Sequence, residues 1–143
     1  MHAHPYHLVL LGRHRLIQGD FQKFNALIYS QVEGLNRNYT ELIGIVPYFP
    51  SGSQSLVLNT MDTLRRHKLV LWMNHGFLVR EANIRRAYTL MAYAEESAKA
   101  ALDTLKHGAK GLPNDWIGRF LEDNALLDFY KELERVLISD DSK

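Results

Sequence analysis

The stretch KLVLWM, Lys68 to Met73, constrains the fold more than any other part of the chain. It is a continuous apolar run, and a strand that is apolar on both faces belongs in the interior of a sheet. NHG at 74–76 interrupts the run and FLVRE resumes it. That pattern predicts either one strand with a bend or two strands around a turn. LIGIV, Leu42 to Val46, is a second compact run, rich in branched side chains, and reads as another buried strand. Pro47 and Pro50 then force an extended stretch.

The remaining apolar residues recur at helical spacing. HLVLLGRHRLI, with Leu8, Leu11 and then Leu16 and Ile17, predicts a short helix. Gln18–Asp20 ends it, and Asp20 is placed to cap a second helix over 21–29. In SGSQ, Ser51 or Ser53 offers an N-cap, with Gln54 placed for a capping box from Ser51. The helix that follows, over 54–66, is expected to carry Leu56, Met61 and Leu64 inward. Asn83 is a cap for the longest helix, over about 84–107. Its line Leu90, Ala94, Ser97, Ala101 and Leu105 has small central residues that let another backbone come close. Gly108 is expected to end it. Residues 113–138 predict one or two amphipathic helices, the second capped by Asn124 and carrying Leu127, Tyr130, Leu133 and Leu137. Two or three strands are few for so many helices, and each amphipathic face must be buried on something. This points to sheet strands missing from the 143 residues.

Composition excludes several function classes. A formal net charge of +1 gives no strong pull toward nucleic acid or a membrane surface. There is no cysteine, so no disulfide, thiolate metal site or cysteine nucleophile. That fits a reducing compartment. No apolar stretch approaches the roughly 20 residues of a membrane span, and the polar, histidine-rich start is unlike a signal peptide. A cytoplasmic location is therefore expected.

Chemistry is concentrated in the histidines. Three of the seven fall in MHAHPYH, at positions 2, 4 and 7. In an extended strand, i and i+2 point to one face. At ~3.3 Å rise per residue, His2 and His4 could aim two imidazoles at one point. Catalytic zinc commonly takes three protein ligands and keeps one position open. His75, directly after the central strand and beside Gly76, is the best third ligand, Gly76 allowing a sharp turn and a close approach. Read blandly, His-x-His is an exposed accident of a chain end and His75 a hydrogen-bonded structural residue. His7, His14, His67 and His107 have no partner pattern and read as surface or helix-end residues.

HAHPYH, GIVPYFPSGSQ, HKLVLWMNHG and the following long A…AEESAKAAL helix together resemble the class II aldolase/adducin family. The resemblance covers almost the whole chain, most specifically up to about Gly108. It implies a zinc site of His2, His4 and His75, with another divalent metal as the alternative. It implies an α/β fold, a three-layer α/β/α arrangement with a mostly antiparallel central sheet, in a homotetramer with active sites at subunit interfaces. The reaction it implies is reversible aldol cleavage of a phosphorylated ketose, such as rhamnulose 1-phosphate to dihydroxyacetone phosphate and lactaldehyde. The metal would act as a Lewis acid for negative charge that appears only on cleavage. The same family holds fuculose-phosphate aldolases, epimerases, decarboxylases, dehydratases and the non-catalytic head of adducin.

Family members carry a substantial part before the His-x-His, with the phosphate-binding loops and the acid/base glutamate. No position of this sequence matches those. The expectation is a single partial domain over 1–143, truncated at its N-terminus. Glu33, in SQVEGLN, lies near a region where rhamnulose-phosphate relatives have an acidic residue facing a neighbouring active site; otherwise it reads as a solvated loop residue. Glu41 reads as structural, and Glu95 and Glu96 as surface partners of Lys99. Ser51, Gly52 and Ser53 are explained by capping without a phosphate cradle.

Overall fold

The computed structural model describes residues 1–31, 35, 39, 41–107 and 114–140. The elements run β1 (His2–Ala3), α1 (Tyr6–Arg13), α2 (Phe21–Tyr29), β2 (Gly44–Val46), α3 (Gln54–Arg66), β3 (Leu69–Trp72), β4 (Gly76–Val79), α4 (Ile84–His107), α5 (Asn114–Asp123) and α6 (Leu127–Asp140).

Four strands form one sheet in the order β1-β4-β3-β2. NHG resolves into a turn between two strands, because β3 and β4 pair antiparallel with Trp72 opposite Gly76. Asn74, at φ 60°, takes the left-handed position of that turn, which asparagine tolerates better than most residues. β1 joins antiparallel on the outer side of β4, His2 opposite Leu78 and Ala3 opposite Phe77. β2 pairs with β3 in parallel. The sheet is therefore mixed, where a mostly antiparallel one was expected. The connection explains it: α3 carries the chain from the end of β2 back to the start of β3, and a helical crossover returns a strand in the same direction.

Alternation along the strands divides the core in two. Leu69, Leu71, Phe77 and Val79 face a cluster with Leu8 and Leu11 of α1, Phe24 and Leu27 of α2, and Leu90, Ala94 and Ala98 of α4. Val46 and Val70 face Leu56 of α3, with Trp72 and Leu78 packed alongside. Helices thus cover both faces, as a sheet with such apolar strands requires.

The helix boundaries follow the local signals closely. Asp20 accepts from Lys23 N at 2.9 Å and Asn83 from Arg86 N at 3.0 Å. For α3 the cap is Ser53, which accepts from Leu56 N, and not Ser51 with a capping box. Met61 does not face inward: its stripe with Val57 and Leu58 lies on the exposed side, and Leu56 and Thr60 make the buried one. In α4 the expected small-residue line is buried as far as Ala101; in the next turn Leu105 packs half-buried against the core, beside the buried Thr104, which bonds Gln31. Gly108 lies outside the described residues.

Asn124 ends α5 and does not cap α6; its amide donates to Phe120 O. The bonds Leu126 N to Leu121 O and Ala125 N to Glu122 O make the six-to-one and five-to-two pairs of a Schellman ending. Ala125 takes the left-handed position there, at φ 55°, which usually belongs to glycine.

Candidate metal centre

The sheet delivers three imidazoles to one place. β1 carries His2 on the α3 side of the sheet, Pro5 begins α1 one residue after His4, and the β3–β4 turn presents His75. One ring nitrogen of each of His2, His4 and His75 lies within 4.8 Å of the other two. The His2 and His4 ring centres stand 4.7 Å apart, edge to face, and those of His4 and His75 5.3 Å apart, stacked. Sequence spacing singled out these three, and the fold brings all three together.

The surroundings of His2 favour its neutral, metal-ligating form. His2 Nδ1 lies 3.1 Å from Phe77 O, which fixes the ring and leaves Nε2 as the available ligand atom. Partial burial lowers the His2 pKa most; the Phe77 carbonyl opposes that, and charge on His4 or His75 lowers it further. His75 Nδ1 is buried without a hydrogen-bond partner among the described residues. A buried polar atom left unpaired is costly, and a metal ion would satisfy it.

The donor set fits a divalent ion. With zinc–nitrogen bonds of about 2.0–2.1 Å, two ligands on a tetrahedral ion stand roughly 3.3 Å apart, inside the 4.8 Å that bounds the nitrogen separations here. Three neutral nitrogens suit zinc, and also cobalt, iron or manganese.

Gly76 makes the approach possible. A Cβ there would stand 2.7 Å from both Ala3 O and His2 Cε1, and 3.0 Å from His4 Cδ2. The group that comes close to the glycine is thus the His-x-His strand itself, while the left-handed turn position falls to Asn74.

One member of the site escaped sequence reasoning. The Trp72 ring lies 4.6 Å from that of His2 and 5.0 Å from that of His75, with its Nε1 buried and unpartnered among the described residues. It backs the cluster and borders a cavity of about 450 Å³ whose other walls include Leu56, Val57 and Met61 of α3. The available signal was its position as the last residue of β3, directly before the turn that carries His75.

His14 and His67 end helices, as expected of residues with no partner pattern, and together with His7 they find bonding partners within the chain. His67 Nδ1 bonds Leu42 O at 2.8 Å, and His14 Nδ1 accepts from Leu16 N at 3.3 Å. His7 Nδ1 meets Glu95 Oε1 at 2.7 Å. Glu95 therefore turns to α1 instead of making only a surface pair along its own helix; Glu96 is exposed, as expected. Glu41 is structural: its backbone carbonyl accepts from Tyr29 and its carboxylate lies 3.4 Å from Lys68 Nζ. Glu33 lies outside the described residues.

A mixed sheet covered by helices on both faces, with a His-x-His edge strand meeting a histidine turn, defines an α/β domain built to converge imidazoles. Residues 1–102 match the family described as the class II aldolase and adducin N-terminal domain, and the chain belongs to that family. Among curated proteins it is similar to rhamnulose-1-phosphate aldolases of Yersinia pestis (strain Pestoides F) and Yersinia pseudotuberculosis (serotype O:1b, strain IP 31758). Each is 28% identical over 110 residues, which cover 77% of this chain and 39% of the relative. The chain thus matches about two-fifths of the length of these relatives. Among solved structures it is similar in fold to the sugar-phosphate aldolase from Thermotoga maritima, with TM-score 0.66, 23% identity, and 76% of this chain and 45% of that one covered. These matches do not carry the expectation that the chain is only the C-terminal part of its domain.

Proposed function

We propose that this chain carries the metal centre of a class II aldolase, with zinc held by His2, His4 and His75. The observation that supports this best is the convergence of one ring nitrogen from each of the three histidines within 4.8 Å. A module freed from chemistry, like an adducin head, has no physical reason to keep three such imidazoles. The substrate class is a phosphorylated ketose, and rhamnulose 1-phosphate is the first to test because the curated relatives bear that name.

The bound metal would supply Lewis-acid stabilisation of the charge that develops as the carbon–carbon bond breaks. The chain's own residues hold and shield that position. His2 is fixed by Phe77 O, Gly76 admits the His-x-His strand, and Trp72 with Leu56, Val57 and Met61 walls the adjoining cavity. Glu33 is proposed as an acid/base residue facing a neighbouring site. A positioned acid/base contributes about 10²–10⁴-fold, so the metal centre by itself is expected to be a slow catalyst. The family's homotetramer and a cytoplasmic location belong to the same proposal.

The test couples metal content to turnover. Release of dihydroxyacetone phosphate from rhamnulose 1-phosphate, abolished both by a chelator and by His75→Ala, is the expected result. Bound metal that His75→Ala leaves in place would instead support the non-catalytic module.

A further inference from the structure

His4 lies outside the paired part of the sheet, since β1 is only His2–Ala3. What sets its position follows it in sequence. Pro5, with φ −67° and ψ 123°, links it to α1 with one torsion locked by the ring. Pro5 is also the N-cap of α1 and offers no side chain to the free amides of the first turn.

Two of those amides are satisfied from another helix. Glu95, near the middle of α4, accepts from His7 N at 3.0 Å through Oε1 and from Leu8 N at 3.0 Å through Oε2. The same Oε1 meets the His7 ring at 2.7 Å. A carboxylate on two backbone amides at a helix N-terminus is favoured both by hydrogen bonding and by the helix dipole. Both partners are about two-thirds removed from solvent, Glu95 being 27% exposed and His7 33%. Leu8, between them and the sheet, is fully buried.

We propose that Glu95 is a positioning residue for the metal centre: by gripping the first turn of α1 it fixes the backbone that carries His4. The His-x-His pair is then held from two sides, His2 by the sheet and His4 by a carboxylate reaching from α4. This inference rests on the reading of His2, His4 and His75 as metal ligands.

The test is the cobalt(II) and zinc affinity of the full chain, measured by chelator competition well below the unfolding temperature. Glu95→Ala should weaken binding about tenfold or more, by analogy with groups that orient metal ligands. Glu96→Ala, a change at the exposed neighbour, should stay within about twofold. Glu95→Gln keeps one carbonyl acceptor, so it should fall between these and carry the test if Glu95→Ala does not fold. In the metal-free Glu95→Gln chain, the His7 and Leu8 amide protons should exchange faster while that of Leu78 does not. Unchanged metal affinity with only a lowered melting temperature would make Glu95 merely structural and overturn the proposal. Unchanged exchange at His7 and Leu8 would overturn it as well. A native chain that binds no metal, or a His75→Ala chain that binds as tightly as the native one, would instead bring down the metal reading and this inference with it.

Discussion

His7, His14 and His67 each use Nδ1 on one partner: a carboxylate, a backbone amide and a backbone carbonyl. His2, His4 and His75 face one another, and His75 Nδ1 has no hydrogen-bond partner among the described residues. The two sets share residue type, so composition does not tell them apart; His75 is half-buried like the first set while His2 and His4 are exposed, so burial alone does not define the second set. What separates them is where the ring nitrogens are aimed. The first set closes helix ends and tethers loops through Nδ1 bonds made within the protein. The second set gathers one ring nitrogen of each residue at one place, with His2 oriented by its own Nδ1 contact to Phe77 O.

The comparison breaks most visibly at His75. His75→Ala should lower divalent-metal affinity by about 10²-fold or more, because a ligand matters at least as much as the groups that orient ligands. The thermal stability of the metal-free chain should barely change. Dialysis with metal analysis and a melting curve give both numbers, and a large loss of metal-free stability would move His75 into the structural set.

Gly76→Ala should act on the ligating set through the backbone. A Cβ 2.7 Å from Ala3 O must push β1 away from β4. The expected cost is about 1–3 kcal/mol in denaturant unfolding, together with loss of metal. Retained metal affinity would mean that the strand does not need this close approach.

His67→Ala should do the reverse. Loss of the bond to Leu42 O should cost about 1 kcal/mol of stability and leave metal affinity within about twofold. A metal defect here would blur the division between the sets.

The smallest expected effect is on pH dependence. His14 is held below the ordinary histidine pKa of 6.5 by burial first and by Arg15 second. Its folded value lies below its unfolded one, so its contribution is full above the unfolded pKa and is lost as pH falls through the folded value. The loss has a structural counterpart, since a protonated Nδ1 cannot accept from Leu16 N. Melting temperatures of the metal-free chain should fall below about pH 6.5, and His14→Ala should flatten part of that fall. An unchanged slope would remove His14 from the account.

Much of this was legible in the sequence because it is local. Asp20 and Asn83 mark helix starts by chemistry that reaches only three residues. LVLW declares a buried strand by its own composition, and the His-x-His spacing states its geometry directly. What stayed hidden depends on distant partners or on choices between equivalent local patterns. The partner of Glu95 lies 88 residues away, so an i,i+4 surface pair was the only reading within reach. In α3, a stripe through Leu56 and Thr60 and one through Val57 and Met61 are both helical, and only the sheet decides which is buried. Strand direction is equally silent: LIGIV and KLVLWM look alike in either orientation, and the α3 crossover makes them parallel. Trp72 looked like one more core residue until the fold set its ring against His2 and His75.

The central claim is that three imidazoles of this one chain hold one metal ion. X-ray absorption at the zinc edge, on the chain loaded with one equivalent, tests it without reference to any substrate. The account predicts three imidazole nitrogens at about 2.0–2.1 Å, with one further light-atom ligand in the open position. A shell of oxygens with one imidazole or none, unchanged when His2, His4 or His75 is replaced, would contradict it.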